Sequence, residues 1–111
     1  MGTPTGTTPT QCAAAGFGNL TYANFARSFF ASYCVRCHAT TVTGAARNGA
    51  PEDHNFDSYA GVQQFDQEID QVAAMNPTGS QRNNAMPISE PFPTDRERQM
   101  LACWIALGIP Q

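Results

Sequence analysis

The sequence predicts an all-α fold of three to five helices. Apolar residues recur at helical spacing in three separate stretches, two of those stretches open on helix-capping residues, and no alternating strand pattern precedes Cys34. With 111 residues, 41% of them hydrophobic, the chain has room for one core of ordinary composition.

The first helix is expected to start at Thr21, an N-cap candidate, and to run through Tyr22, Phe25, Phe29, Phe30 and Tyr33. Its aromatic residues read as core. A Thr, Gly and Ala stretch from His38 to Pro51 lacks a period and reads as loop. A second helical region spans about Asp57 to Met75, with Tyr59, Val62, Phe65, Ile69 and Val72 on one face and a break expected near Gly61. From Asn76 to Pro93 the chain is too rich in Pro, Asn, Gly and Ser for helix, and a loop that long in a compact domain is usually functional. The last helix is announced by the capping box Thr94-Asp95-Arg96-Glu97, carries Met100, Leu101, Trp104 and Ile105 on an apolar face, and ends before Gly108 and Pro110. Residues 1–11 are Thr, Pro and Gly almost throughout and are expected to be mobile, and residues 1–19 read as a linker or tether, of the kind that follows a membrane anchor or another domain; residues 20–111 form the folded domain. No stretch is long and apolar enough to cross a bilayer, and no basic-then-apolar signal segment stands at Met1, so the chain reads as a mature or truncated form.

The chemistry lies in Cys34-Val35-Arg36-Cys37-His38, the attachment sequence of a c-type haem. Two thiols three positions apart can each form a thioether to a vinyl group of one porphyrin edge, and the adjacent imidazole of His38 is then placed under the iron as proximal ligand. Cys-x-x-Cys alone also suits a thiol-disulfide redox pair or half of a zinc site. A redox pair wants a βαβ context, and the remaining cysteines, Cys12 and Cys103, lie too far along the chain to complete a zinc site at close spacing.

All six basic residues are Arg, and the formal net charge is -3. That leaves no basic face for nucleic acid; if charge steers a redox partner, the partner surface should be basic or neutral, with weak steering only as the alternative. Arg47 and Arg82 are candidates to pair with haem propionates, with plain exposed arginines as the alternative.

Together these residues resemble class I cytochromes c, in particular bacterial monohaem cytochrome c domains of secreted and surface-anchored proteins. The resemblance covers about residues 20–110 and rests on the haem motif after an aromatic helix, Gly49-Ala50-Pro51, Asn55-Phe56-Asp57, Met86-Pro87, and Pro93-Thr94 through Trp104. It implies a small cytochrome c fold around one covalently attached haem, first and last helices that cross, and a Pro51 carbonyl presented to the other ring nitrogen of His38. Phe56, Tyr59 and Trp104 are expected around the macrocycle. Haem attachment takes place outside the bacterial cytoplasm, which places the protein in the periplasm or at the cell surface, a compartment suited to four cysteines.

For the sixth iron ligand the sequence offers Met75, Met86, Met100, His54 or an open position. Met86 is the choice, because its loop is long enough to fold over the distal face and Pro87 after it matches the family pattern. A thioether ligand favours ferrous iron and a comparatively high reduction potential, and a saturated iron has no vacancy for substrate, so the expected activity is single-electron transfer to partner proteins by a monomer, without enzymatic chemistry. The alternatives are a haem-based gas sensor or peroxidase-like enzyme with a weak distal ligand, or a domain through which electrons enter a larger enzyme. Cys12 and Cys103 remain as an even pair; the implied crossing of first and last helices makes a disulfide between them feasible, with free thiols or intermolecular pairing as the other outcomes.

Overall fold

A computed structural model describes residues 2–111. The fold is all-α, with helices α1 (Pro9–Ala14), α2 (Arg27–Tyr33), α3 (Tyr59–Gln64), α4 (Asp66–Ala73) and α5 (Asp95–Ala106). A π-helical turn, Tyr22–Ala26, leads into α2, and a 3-10 turn spans Gly44–Arg47.

Thr21 caps the first helical run as its sequence predicts, exchanging hydrogen bonds with Asn24 at 2.8 and 3.0 Å. The first turn is wider than expected: Ala26 N–H reaches back five residues to the Thr21 carbonyl, and Arg27 N–H to that of Tyr22. Phe25, Phe29 and Phe30 are buried on this run. Phe30 and Tyr22 meet Trp104 of α5 at centroid distances of 6.0 and 6.2 Å, so the first long helical run packs on the last helix. In α5 the capping box is complete, with Thr94 N–H on Glu97 at 2.9 Å and Glu97 N–H on Thr94 at 3.1 Å. The helix gives way at Leu107 and Gly108, where φ is 89°.

Two expectations are corrected. The second helical region breaks at Phe65 (φ -129°, ψ 22°), between α3 and α4, and not at Gly61. Gly61 lies inside α3 for a different reason: a Cβ there would collide with the Asn55 carbonyl, so only glycine lets the two backbones approach.

The second correction concerns residues 1–11, expected to be mobile within a linker or tether of residues 1–19; Met1 lies outside the described residues. Thr8 and Gln11 form a capping box with Pro9 in the first turn, so the Thr/Pro composition here starts α1. Cys12 of α1 is bonded to Cys103 of α5 with Cα atoms 5.5 Å apart, the pairing anticipated from the sequence. Upstream, Thr5 is buried and donates through its N–H and Oγ1 to the Asp70 carboxylate at 2.9 and 2.7 Å. This segment is a strap fastened to α4 and α5.

The long loop after α4 turns at Asn76, whose Oδ1 accepts from Thr78 N–H and Oγ1 at 2.8 and 2.7 Å. It then runs back along the end of α4, with Asn83 N–H on the Ala74 carbonyl at 2.9 Å and Met86 N–H on that of Val72 at 3.0 Å. Among the described residues no helix is long and apolar enough to cross a membrane.

Candidate functional site

An apolar cleft of about 980 Å³, counting its solvent-open mouth, is assembled from the end of α2, residues 34–38, residues 47–56, α4 and residues 86–88. Cys34, Cys37, His38 and Met86 all line it. The α2 helix stops at Cys34, and the turn that follows, with Cys37 and His38 N–H on the Cys34 carbonyl at 3.3 and 3.0 Å, brings both thiols and the imidazole into one cleft.

His38 is fixed from three sides. Its Nδ1 donates to the His54 carbonyl at 2.8 Å, its ring stacks on Phe56 at 4.7 Å, and its own carbonyl accepts from Phe56 N–H at 2.7 Å. That hydrogen bond selects the tautomer with Nε2 unprotonated and free to ligate. Burial, chiefly, holds the imidazole below the ordinary histidine range, so it is neutral near pH 7.

The carbonyl that holds His38 is that of His54, not of Pro51 as the resemblance implied. Pro51 lines the cleft, but its carbonyl accepts from Arg47 Nη2 at 2.6 Å and from His54 N–H at 3.0 Å. Arg47 is likewise corrected. It is only 2% exposed, and its guanidinium donates to the carbonyls of Ala39, Val42, Ala50, Pro51 and His54 and to Asn55 Oδ1. Every N–H is used, so Arg47 shapes the loop around His38 and has no donor left for a propionate.

Burial pushes the Cys34 thiol up to about 12, against a partial pull downward from Arg36 and Arg98. A thiol so reluctant to ionise is a poor nucleophile for disulfide exchange. Cys37 Sγ accepts from Asn48 Nδ2 at 3.3 Å. Among the described residues no group of three or more His, Cys, Asp and Glu side chains is placed to cage a metal.

Of the candidates for sixth ligand, Met86 lines the cleft and is 37% exposed. Met75 lies in an isolated bridge with Arg82, and Met100 packs against the core; neither lines the cleft. His54 does, but both its ring nitrogens are engaged, Nδ1 by Asp53 at 2.8 Å and Nε2 by Glu68 at 3.0 Å, and the ring stacks on Phe65 at 3.9 Å. Burial pulls the His54 ring down, yet its two carboxylate partners outweigh that and leave it above the ordinary range.

Three residues expected near the cofactor lie elsewhere. Tyr59 does not line the cleft; its hydroxyl donates to the Ile109 carbonyl at 2.7 Å and its ring meets Tyr22 edge-on. Trp104 is fully buried in the core, with Nε1 on the Pro110 carbonyl at 2.9 Å. Arg82 pairs with Asp95 at 2.8 Å. Two arginines that the sequence reading passed over matter more. Arg36 donates to the carbonyls of Ser89, Glu90 and Pro91, tying the Cys-x-x-Cys turn to the loop that carries Met86. Arg98 donates to the Met86 carbonyl at 2.9 Å. Its position was a signal, since Arg98 shares the helical stripe of Leu101 and Ile105, where a charge is out of place.

Comparison with protein-family models, with curated proteins and with solved structures found no match for this chain.

Proposed function

We propose that the cleft holds one c-type haem, attached through Cys34 and Cys37 and ligated by His38 and Met86, and that the protein carries single electrons in an extracytoplasmic compartment. The observation that carries this reading is the convergence of two thiols, an imidazole with a free Nε2 and a thioether on one apolar cleft. When bound, the haem supplies a one-electron iron centre, with a comparatively high potential because a thioether favours the ferrous state.

The chain's own residues orient and enclose that group. The His54 carbonyl and the Phe56 ring fix the direction of His38, and the hydrogen bond to that carbonyl raises its basicity as a ligand. Phe29, Phe30, Ile69, Val72 and Ala73 give the cleft its apolar lining and keep water from the site. Arg36 draws the Ser89–Pro91 segment against the haem motif and narrows the mouth. The partial exposure of Met86 favours one further reading, a sensor whose distal ligand is displaced by a diatomic gas.

Maturation of the chain in a bacterium with a cytochrome c assembly system is the test. The expected product gains the mass of one haem that survives denaturation, and the Cys34→Ala, Cys37→Ala double variant loses it. A wild-type product without covalent haem would overturn the proposal. Rapid carbon monoxide binding by the ferrous protein would favour the sensor.

A further inference from the structure

The loop that carries Met86 is poorly held by its own packing. Met86, Ile88 and Phe92 are 37%, 58% and 52% exposed, the exposed large hydrophobic residues among the described ones. Met86 is instead held through its backbone at two points: N–H on the Val72 carbonyl at 3.0 Å, and carbonyl on Arg98 Nη1 at 2.9 Å. The same nitrogen also meets the carbonyls of Ala73 at 2.9 Å and Asn83 at 3.1 Å. One guanidinium nitrogen therefore gathers the end of α4 and two points of the loop.

Arg98 is 2% exposed, and among the described residues no carboxylate lies within ion-pair distance of it. Its Nε is buried without a partner. A core cation in that condition is costly, and the fold bears the cost where carbonyls of α4 and of the loop converge. The loop is fastened from the other side by Asn83 Nδ2, which donates to the carbonyls of Thr3 at 2.6 Å and Asp70 at 2.9 Å.

We propose that Arg98 is a positioning residue for Met86: its hold on the Met86 and Asn83 carbonyls keeps the thioether seated in the cleft and sets how readily another ligand replaces it. This rests on the haem reading above. A rigid fork meets several carbonyls that a flexible ammonium meets less well, so the effect is graded between Arg98→Lys and Arg98→Met.

Imidazole titration of the ferric, haem-loaded full chain tests it, read through the sulfur-to-iron charge-transfer band. Arg98→Met is expected to bind imidazole about tenfold more tightly than wild type, as the loss of a charged hydrogen bond predicts, with Arg98→Lys in between. Val62→Ala removes core volume from a fully buried residue that does not line the cleft; it should lower the melting temperature and leave imidazole affinity unchanged. Wild-type affinity in Arg98→Met, or an equal gain in Val62→Ala, overturns the proposal. Should Arg98→Met not fold around haem, wild-type affinity in Arg98→Lys overturns it instead. Met86→Ala separates the two claims. Loss of the band in that variant, with Arg98 variants like wild type, sinks only the role of Arg98; an unchanged band sinks the ligation by Met86 and the role of Arg98 with it.

Discussion

His38 owes its orientation to a carbonyl three residues beyond the proline that was expected to supply it. Both carbonyls lie in one tight turn, and the turn itself decides between them: His54 N–H closes on the Pro51 carbonyl, which leaves the His54 carbonyl for His38. No residue type in that stretch encodes the choice, so the motif was legible and its hydrogen-bond partner was not. Arg47 was misread for a related reason, because arginines are mostly exposed and carbonyl cradles leave no trace in sequence. Arg47→Met strands several buried carbonyls, and denaturant unfolding should show a loss of about 3 kcal/mol or more. Asp57 closes the same arch, accepting from Thr40 Oγ1 at 2.7 Å and N–H at 3.2 Å, and these bonds hold its carboxyl below the usual aspartate range. A depressed carboxylate adds stability above its unfolded-state value and loses it as pH falls through the folded one. Unfolding midpoints should therefore drop below about pH 4 more steeply in wild type than in Asp57→Asn.

The capping signatures at Thr21 and Thr94 were readable, whereas that at Thr8 and the interruption at Phe65 were not. Thr94 and Glu97 fix the start of α5 locally, within four residues. Thr8 and Gln11 carry the same signature for α1, which the surrounding Thr and Pro residues concealed. The break at Phe65 follows from packing, since its ring stacks on His54, a contact between segments that no periodicity contains. Gly61→Ala should be destabilising by about 1–3 kcal/mol despite the better helix propensity of alanine, because the Asn55 carbonyl occupies the space; urea midpoints check this. The Cys12–Cys103 bridge closes a separation of 91 residues. Replacing both cysteines with serine should cost about 2–5 kcal/mol in the same assay, a loss reproduced in wild type by adding a thiol reductant.

Over the whole molecule the all-α class was legible because the three long apolar patterns carry their own period, whereas the cleft is built from segments spread between residues 29 and 88. Cys34, Cys37, His38 and Met86, which line it, were singled out in the sequence; most of its walls were not. The strap of residues 3–12 shows the same limit, for its anchor points on Asp70, Asn76 and Cys103 are distant in sequence. What these pieces achieve together is a cleft in which two thiols, one directed imidazole and the partly exposed Met86 share an apolar volume. The most direct test of that arrangement is the oxidised and reduced absorption spectrum of the matured protein, repeated for Met86→Ala and under carbon monoxide. The account predicts a low-spin wild type with a sulfur-to-ferric-iron band that Met86→Ala abolishes. A high-spin wild type that binds carbon monoxide quickly and is unchanged by Met86→Ala would contradict it.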